Sequence, residues 1–115
     1  MPRSYIPERG DIVWLSFEPQ AGREQTGRRP ALALSPASYN GKVGLGLFCP
    51  VTSRVKSYTF EIAVPPGLAV SGVVLSDQVR SLDWRARRVK FLDRMPQAQL
   101  REVAEKLAVL FGETE

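Results

Sequence analysis

Asp11-Ile12-Val13-Trp14-Leu15-Ser16-Phe17 is the stretch on which the fold turns. β-branched and aromatic side chains dominate it, and such residues suit a pleated, half-buried surface, so it reads as a strand. Residues 18–30 hold two glycines, two prolines and most of the local charge, and read as a loop. Ala31-Leu32-Ala33-Leu34 is a second short strand. Residues 36–44 read as a connection, with Asn40-Gly41 its turn. Residues 44–51 form a third strand, in which Pro50, lacking an N–H, predicts an edge or a bend. Thr52-Ser53-Arg54-Val55-Lys56-Ser57 is polar and predicted to be exposed. Residues 59–64 alternate as a fourth strand, stopped by Pro65-Pro66-Gly67. Gly72-Val73-Val74-Leu75 is a fifth, running on toward Asp77-Gln78-Val79. Arg88-Val89-Lys90-Phe91-Leu92 alternates charged and apolar residues, as a half-exposed strand does.

The period then changes. Leu100, Val103, Ala104, Leu107, Leu110 and Phe111 recur at helical spacing, with Arg101, Glu102, Glu105 and Lys106 between them. Pro96 suits a first helical turn and Gly112 a C-terminal cap. Met95-Pro96 supplies no Ser or Thr cap. The predicted fold is mainly β: a small, strongly curved sheet or partly open barrel of antiparallel strands, closed by a C-terminal helix.

A chain of 115 residues fits one domain spanning residues 1–115 and needs neither metal nor disulfide to fold. Its single cysteine, Cys49, lies in an apolar run and reads as a small buried hydrophobe. One cysteine makes no internal disulfide, which fits a reducing cytoplasm. The N-terminal residues lack an apolar signal core, and no run approaches the ~18 residues of a membrane span. A cytoplasmic protein with no membrane partner is expected. Trp14 and Trp84 read as packing residues of the core or a subunit interface.

The net charge is +4. Arg80, Arg85, Arg87, Arg88, Lys90 and Arg94 cluster against only Asp83 and Asp93, and Arg23, Arg28 and Arg29 against Glu24. The C-terminal end is more acidic. Two readings of residues 80–94 stand: a solvated strand face, or a phosphate-contacting surface. The chain has no histidine, so imidazole as base, acid or metal ligand is excluded. There is no cysteine pair, no close carboxylate cluster, and no glycine-rich loop that opens a helix, so metal catalysis and a phosphate loop are not expected.

Arginine, hydroxyl and carboxylate chemistry remains. The guanidinium fork fits a phosphate, and a threonine hydroxyl is a rotatable donor and acceptor. Together they hold a phosphodiester and stabilise charge building on its oxygens. RNA brings its own nucleophile, the 2′-hydroxyl, so a protein that sets in-line geometry and neutralises the phosphate needs no metal. Glu24 is the carboxylate nearest the arginine pair in sequence and is the candidate base by elimination.

Gly10-Asp11-Ile12-Val13-Trp14, then Glu24-Gln25-x-Gly27-x-Arg29-Pro30 entering an apolar strand, closely resembles the MazF/PemK family of toxin endoribonucleases. The resemblance continues through Leu34-Ser35-Pro36, Tyr39-Asn40, Pro50-Val51-Thr52-Ser53, Ser76-Asp77-Gln78-Val79-Arg80-Ser81 and Trp84-Arg85-Ala86-Arg87. It implies an SH3-like barrel of the CcdB/PemK type and a homodimer. It implies sequence-specific, metal-independent and cofactor-free cleavage of single-stranded RNA, chiefly mRNA. It also implies a cognate antitoxin whose acidic, flexible tail covers the RNA groove. The family's catalytic arginine falls on Arg29 and its catalytic threonine on Thr52, with Glu24 and Gln25 on the loop that shapes the site. Phe17 and Gln78 fall near the nucleotide-binding positions, Ser53 adjoins Thr52, and Arg28 either adds a phosphate contact or is simply exposed.

Structural roles compete at each position. Arg29 also fits an arginine bonding loop carbonyls, Thr52 a hydroxyl capping its own turn, and Glu24 a plain ion pair. Asp77 reads as a residue fixing local backbone. Two other functions remain: a gyrase poison of the CcdB type, which the Phe111-Gly112-Glu113-Thr114-Glu115 ending speaks against, and a non-catalytic RNA-binding module.

Overall fold

A computed structural model describes residues 5–16 and 28–112. Seven strands and two helices follow in order: β1 (Asp11–Ser16), β2 (Arg28–Ala33), α1 (Ala37–Val43), β3 (Gly46–Thr52), β4 (Glu61–Ala63), β5 (Val73–Leu75), β6 (Arg80–Leu82), β7 (Lys90–Arg94) and α2 (Gln97–Leu110). Every strand pair is antiparallel. The sheet runs β4-β5-β3-β2-β1-β7, with β6 added beside β3. The expected antiparallel sheet with a C-terminal helix is present, and since its outermost strands β4 and β7 do not pair it is not closed into a barrel.

Both faces of the sheet are packed. On one, Ile12, Leu32, Cys49, Val51, Ile62 and Val74 meet Leu100 and Val103 of α2. On the other, Val13, Leu15, Ala31, Ala33 and Phe48 meet Leu82 and Trp84. Adjacent residues of β1 thus serve opposite cores, which explains the near-continuous apolar run that identified it. Cys49 is buried, as its apolar neighbours predicted. Trp84 is fully buried, whereas Trp14 is only half-buried, with the Arg28 guanidinium 5.6 Å from its ring.

Four local expectations are corrected. Residues 36–44 are not a turn but contain α1, closed by Gly44 at φ 87°. Asn40 is fully buried in it, donating to the carbonyls of Pro7 (2.8 Å) and Ser35 (2.9 Å) and accepting from the Ser35 hydroxyl. Tertiary hydrogen bonds therefore outweigh the turn preference of Asn-Gly. β2 begins at Arg28 rather than Ala31, because Ser16 and Leu15 of β1 pair with Arg28 and Arg29. β6 had no strand signature, being short and largely exposed, and is held by its register with β3. β3 is central, not an edge. The Leu47 carbonyl accepts from Leu34 on the β2 side, so by alternation the missing N–H of Pro50 faces the other side. There β3 changes partner, from β6 at Gly46–Phe48 to β5 at Val51–Thr52, and no ladder bond is lost.

The C-terminal helix is present as expected and buries Leu100 and Val103, but Leu110 and Phe111, counted in its apolar stripe, are exposed at its end. Pro96 stands at its N-cap with no side-chain cap bond, and Gly112 follows it at φ 85°. Among the described residues no helix is long and apolar enough to cross a membrane.

Candidate functional site

The register of β2 on β3 decides which side chains meet. Ala31 pairs with Pro50 and Leu32 with Cys49. Each step back along β2 is a step forward along β3, so Arg29 is directed to the level of Thr52, on the same face of the sheet. Both line a cavity of about 620 Å³, together with Ser53, Arg54, Val70 and Ser71. A second cavity of about 570 Å³ adjoins it, sharing Thr52 and Arg54 as walls and reaching Lys56, Tyr58, Asp77 and Gln78. The two form a groove with Thr52 where they meet and cations along it.

Thr52 is half-buried at the end of β3, and its Oγ1 accepts the Arg54 N–H at 3.1 Å. The turn-capping bond is therefore present, but it does not exhaust the hydroxyl. An oxygen that accepts from Arg54 still carries a proton to donate. Arg29 is half-buried on β2, paired with Leu15 of β1 and two residues before Ala31, which pairs with Pro50 of β3. That setting aims a guanidinium better than a loop does.

The groove's far end is organised by hydrogen bonds. The Tyr58 hydroxyl donates to Asp77 at 2.8 Å, which pushes the phenol's pKa upward. Glu61 accepts the backbone N–H groups of Lys56 and Tyr58 and so folds residues 53–60 against β4. Asp77 thus holds the Tyr58 side chain across the groove, a contact 19 residues away in sequence and not the local backbone role expected of it. Among the described residues no group of three or more His, Cys, Asp or Glu side chains is arranged to hold a metal ion.

Of the site residues inferred from sequence, Arg29, Thr52 and Ser53 line the first cavity and Thr52 and Gln78 the second. Arg28 is not brought to either. Strand alternation turns it to the opposite face, over Trp14. Glu24, Gln25 and Phe17 lie outside the described residues. The exposed cations of residues 80–94 line neither cavity; Arg85 stacks on Trp84 at 4.3 Å, and Arg94 pairs with the buried Asp11. Arg54 and Lys56 were missed as groove residues. Their signal was available, since they stand two and four residues beyond Thr52 on alternate positions of a polar stretch.

The family model of PemK-like, MazF-like toxins of type II toxin-antitoxin systems matches residues 8–111. The chain is 41% identical over 112 residues to the endoribonuclease toxin MazF of Escherichia coli K12, covering 97% of this chain and 100% of that one. It is 37% identical to the endoribonuclease PemK of Escherichia coli, over 90% of this chain and 80% of that one. Among solved structures, MazF of Deinococcus radiodurans is similar at a TM-score of 0.87 and 59% identity, over 95% of this chain and 99% of that one. A MazE-MazF structure from Deinococcus radiodurans matches at 0.86 and 52%, over 96% and 100%. The chain belongs to the PemK-like, MazF-like toxins of type II toxin-antitoxin systems, and it is an endoribonuclease of the MazF type.

Proposed function

We propose that this toxin cleaves single-stranded RNA at a specific short sequence, in the cytoplasm and without a metal, through Arg29 and Thr52. One observation carries the reading: both side chains line a single cavity on one face of the β2–β3 pair. The 2′-hydroxyl attacks the adjacent phosphorus, its proton passes to a base, and the P–O5′ bond breaks with a proton delivered to the leaving oxygen. Arg29 clamps the phosphate and stabilises the charge gathering on its non-bridging oxygens. Thr52 donates its hydroxyl proton to the same oxygens. Glu24, the carboxylate nearest the arginine pair in sequence, takes the role of base by elimination; Phe17 contacts RNA on the strength of the family resemblance, and Gln25 does so from the loop that the resemblance places beside the site. Ser53 and Gln78 contact RNA from the groove walls. Arg28 is the weaker member of the set, since its guanidinium lies over Trp14 on the opposite face.

The toxin acts as a homodimer, and a cognate antitoxin with an acidic segment neutralises it by occupying the basic groove. The MazE-MazF structures of Deinococcus radiodurans support the antitoxin partner.

The test uses purified protein in excess EDTA, a long single-stranded RNA and mapping of the ends. Discrete cuts at one short motif are expected. Arg29→Ala and Thr52→Ala are each expected to lose at least ~10²-fold in cleavage, the scale for removing one oriented donor. No cutting by folded wild type, or cutting that EDTA abolishes, would refute the reading.

A further inference from the structure

Gly72 stands at the head of β5, where Val73 pairs with Thr52. Its φ is 119°, and a methyl group built on it would lie 2.1 Å from the Thr52 carbonyl oxygen, 2.8 Å from the Thr52 carbonyl carbon and 3.1 Å from Ser53 Cα. These are backbone atoms, which have no rotamer with which to yield. Gly72 also accepts the Val64 N–H at 2.9 Å, which closes the 64–72 connection at its base. Val70 and Ser71, immediately before it, line the same cavity as Arg29 and Thr52.

We propose that Gly72 is a positioning residue for RNA cleavage: its missing side chain lets the 64–72 wall close on the Thr52 backbone and sets where the Thr52 hydroxyl points. The inference rests on the proposed role of Thr52. A Cβ at this position forces the Thr52 carbonyl back by roughly 1 Å, a displacement of the size that costs catalysis about 10²-fold when it misaligns a reacting group. The displacement acts on Thr52 and Ser53, whereas Arg29 is held on another strand. Turnover should therefore fall while RNA binding persists.

Gly67 supplies the control. It lies in the same connection at φ 95°, with nothing within 4 Å of the place its Cβ would take. Gly67→Ala incurs the backbone strain of a left-handed alanine without the collision. The experiment measures kcat and KM on a mapped single-stranded RNA, with thermal melts, for Gly72→Ala, Gly67→Ala, Thr52→Ala and the double variant Gly72→Ala/Thr52→Ala. A folded Gly72→Ala is expected to lose at least tenfold in kcat, on the order of the misalignment cost, with KM within about threefold. Gly67→Ala is expected to keep the wild-type kcat. The double variant should be no slower than Thr52→Ala alone, because residues acting through one group are not additive. Wild-type turnover by Gly72→Ala, or additive losses in the double variant, would overturn the inference while leaving Thr52 in place. Failure of Gly72→Ala to fold would also overturn it, since Gly72 would then serve the fold and not the site. Wild-type cleavage by Thr52→Ala would instead overturn the site reading, and this inference with it.

Discussion

Cys49 and Thr52 sit three residues apart on one strand, yet their surroundings give them opposite chemistry. Cys49 is fully buried in the core beneath α2, with its thiol 3.7 Å from the Ser76 carbonyl. Burial pushes its pKa up to about 12, with Asp77 adding a smaller rise. The thiol therefore stays protonated at neutral pH and is a poor nucleophile. The expected outcome with an aromatic disulfide reagent at pH 8 is no reaction in the native protein and one equivalent per chain after denaturation. Rapid stoichiometric release from native protein would contradict this. Thr52, by contrast, is half-buried on the groove, with its hydroxyl oxygen engaged by Arg54 and its proton available. The burial of Cys49 was legible because it lies inside an apolar run, whereas Thr52 begins a polar stretch. The sequence could not place Arg28 opposite Arg29, since that depends on the strand continuing through residues first read as loop.

At the scale of elements, β1 and the third strand were legible from their apolar runs, and α2 from its helical apolar period. α1 and β6 were not, because neighbours far along the chain hold them. Asn40 reaches Pro7, and β6 has little apolar content of its own. The segment 64–72 belongs to this second kind. Asp93 of β7 accepts the Ala69 N–H at 2.7 Å and the Arg94 N–H at 2.8 Å. These bonds, that from Ala69 first, hold its carboxyl below the usual carboxylate range. A depressed folded-state pKa means the carboxylate contributes stability at higher pH. That contribution is lost as pH falls through the folded value, and the fraying segment is the one that walls the cavity. Melting temperature should thus fall more steeply for wild type than for Asp93→Asn as pH is lowered below the free carboxyl value near 3.9. Equal slopes would remove Asp93 as the titrating tether.

The whole molecule is only modestly basic, at +4, so its field alone does not make a nucleic-acid binder. The arrangement matters more than the total. Arg29, Arg54 and Lys56 line the two adjoining cavities, while the larger cluster at residues 80–94 lies away from them. That concentration predicts a small number of phosphate contacts per groove, not diffuse attraction. For single strands log K falls against log salt with a slope of about −0.7 per phosphate neutralised, so three cations give a slope near −2. Arg54, exposed and shared by both cavities, is the cleanest probe. Arg54→Ala should flatten the slope by roughly 0.7 and weaken binding similarly across RNA sequences, as a phosphate contact does. Arg85→Ala should leave the slope unchanged, because Arg85 is occupied over Trp84 away from the groove. Fluorescence anisotropy with an RNA made uncleavable by 2′-deoxy substitution, titrated from 50 to 200 mM salt, a range over which phosphate contacts register, reads both variants. A slope altered by Arg85→Ala and not by Arg54→Ala would move the RNA path off the groove and onto the face of residues 80–94.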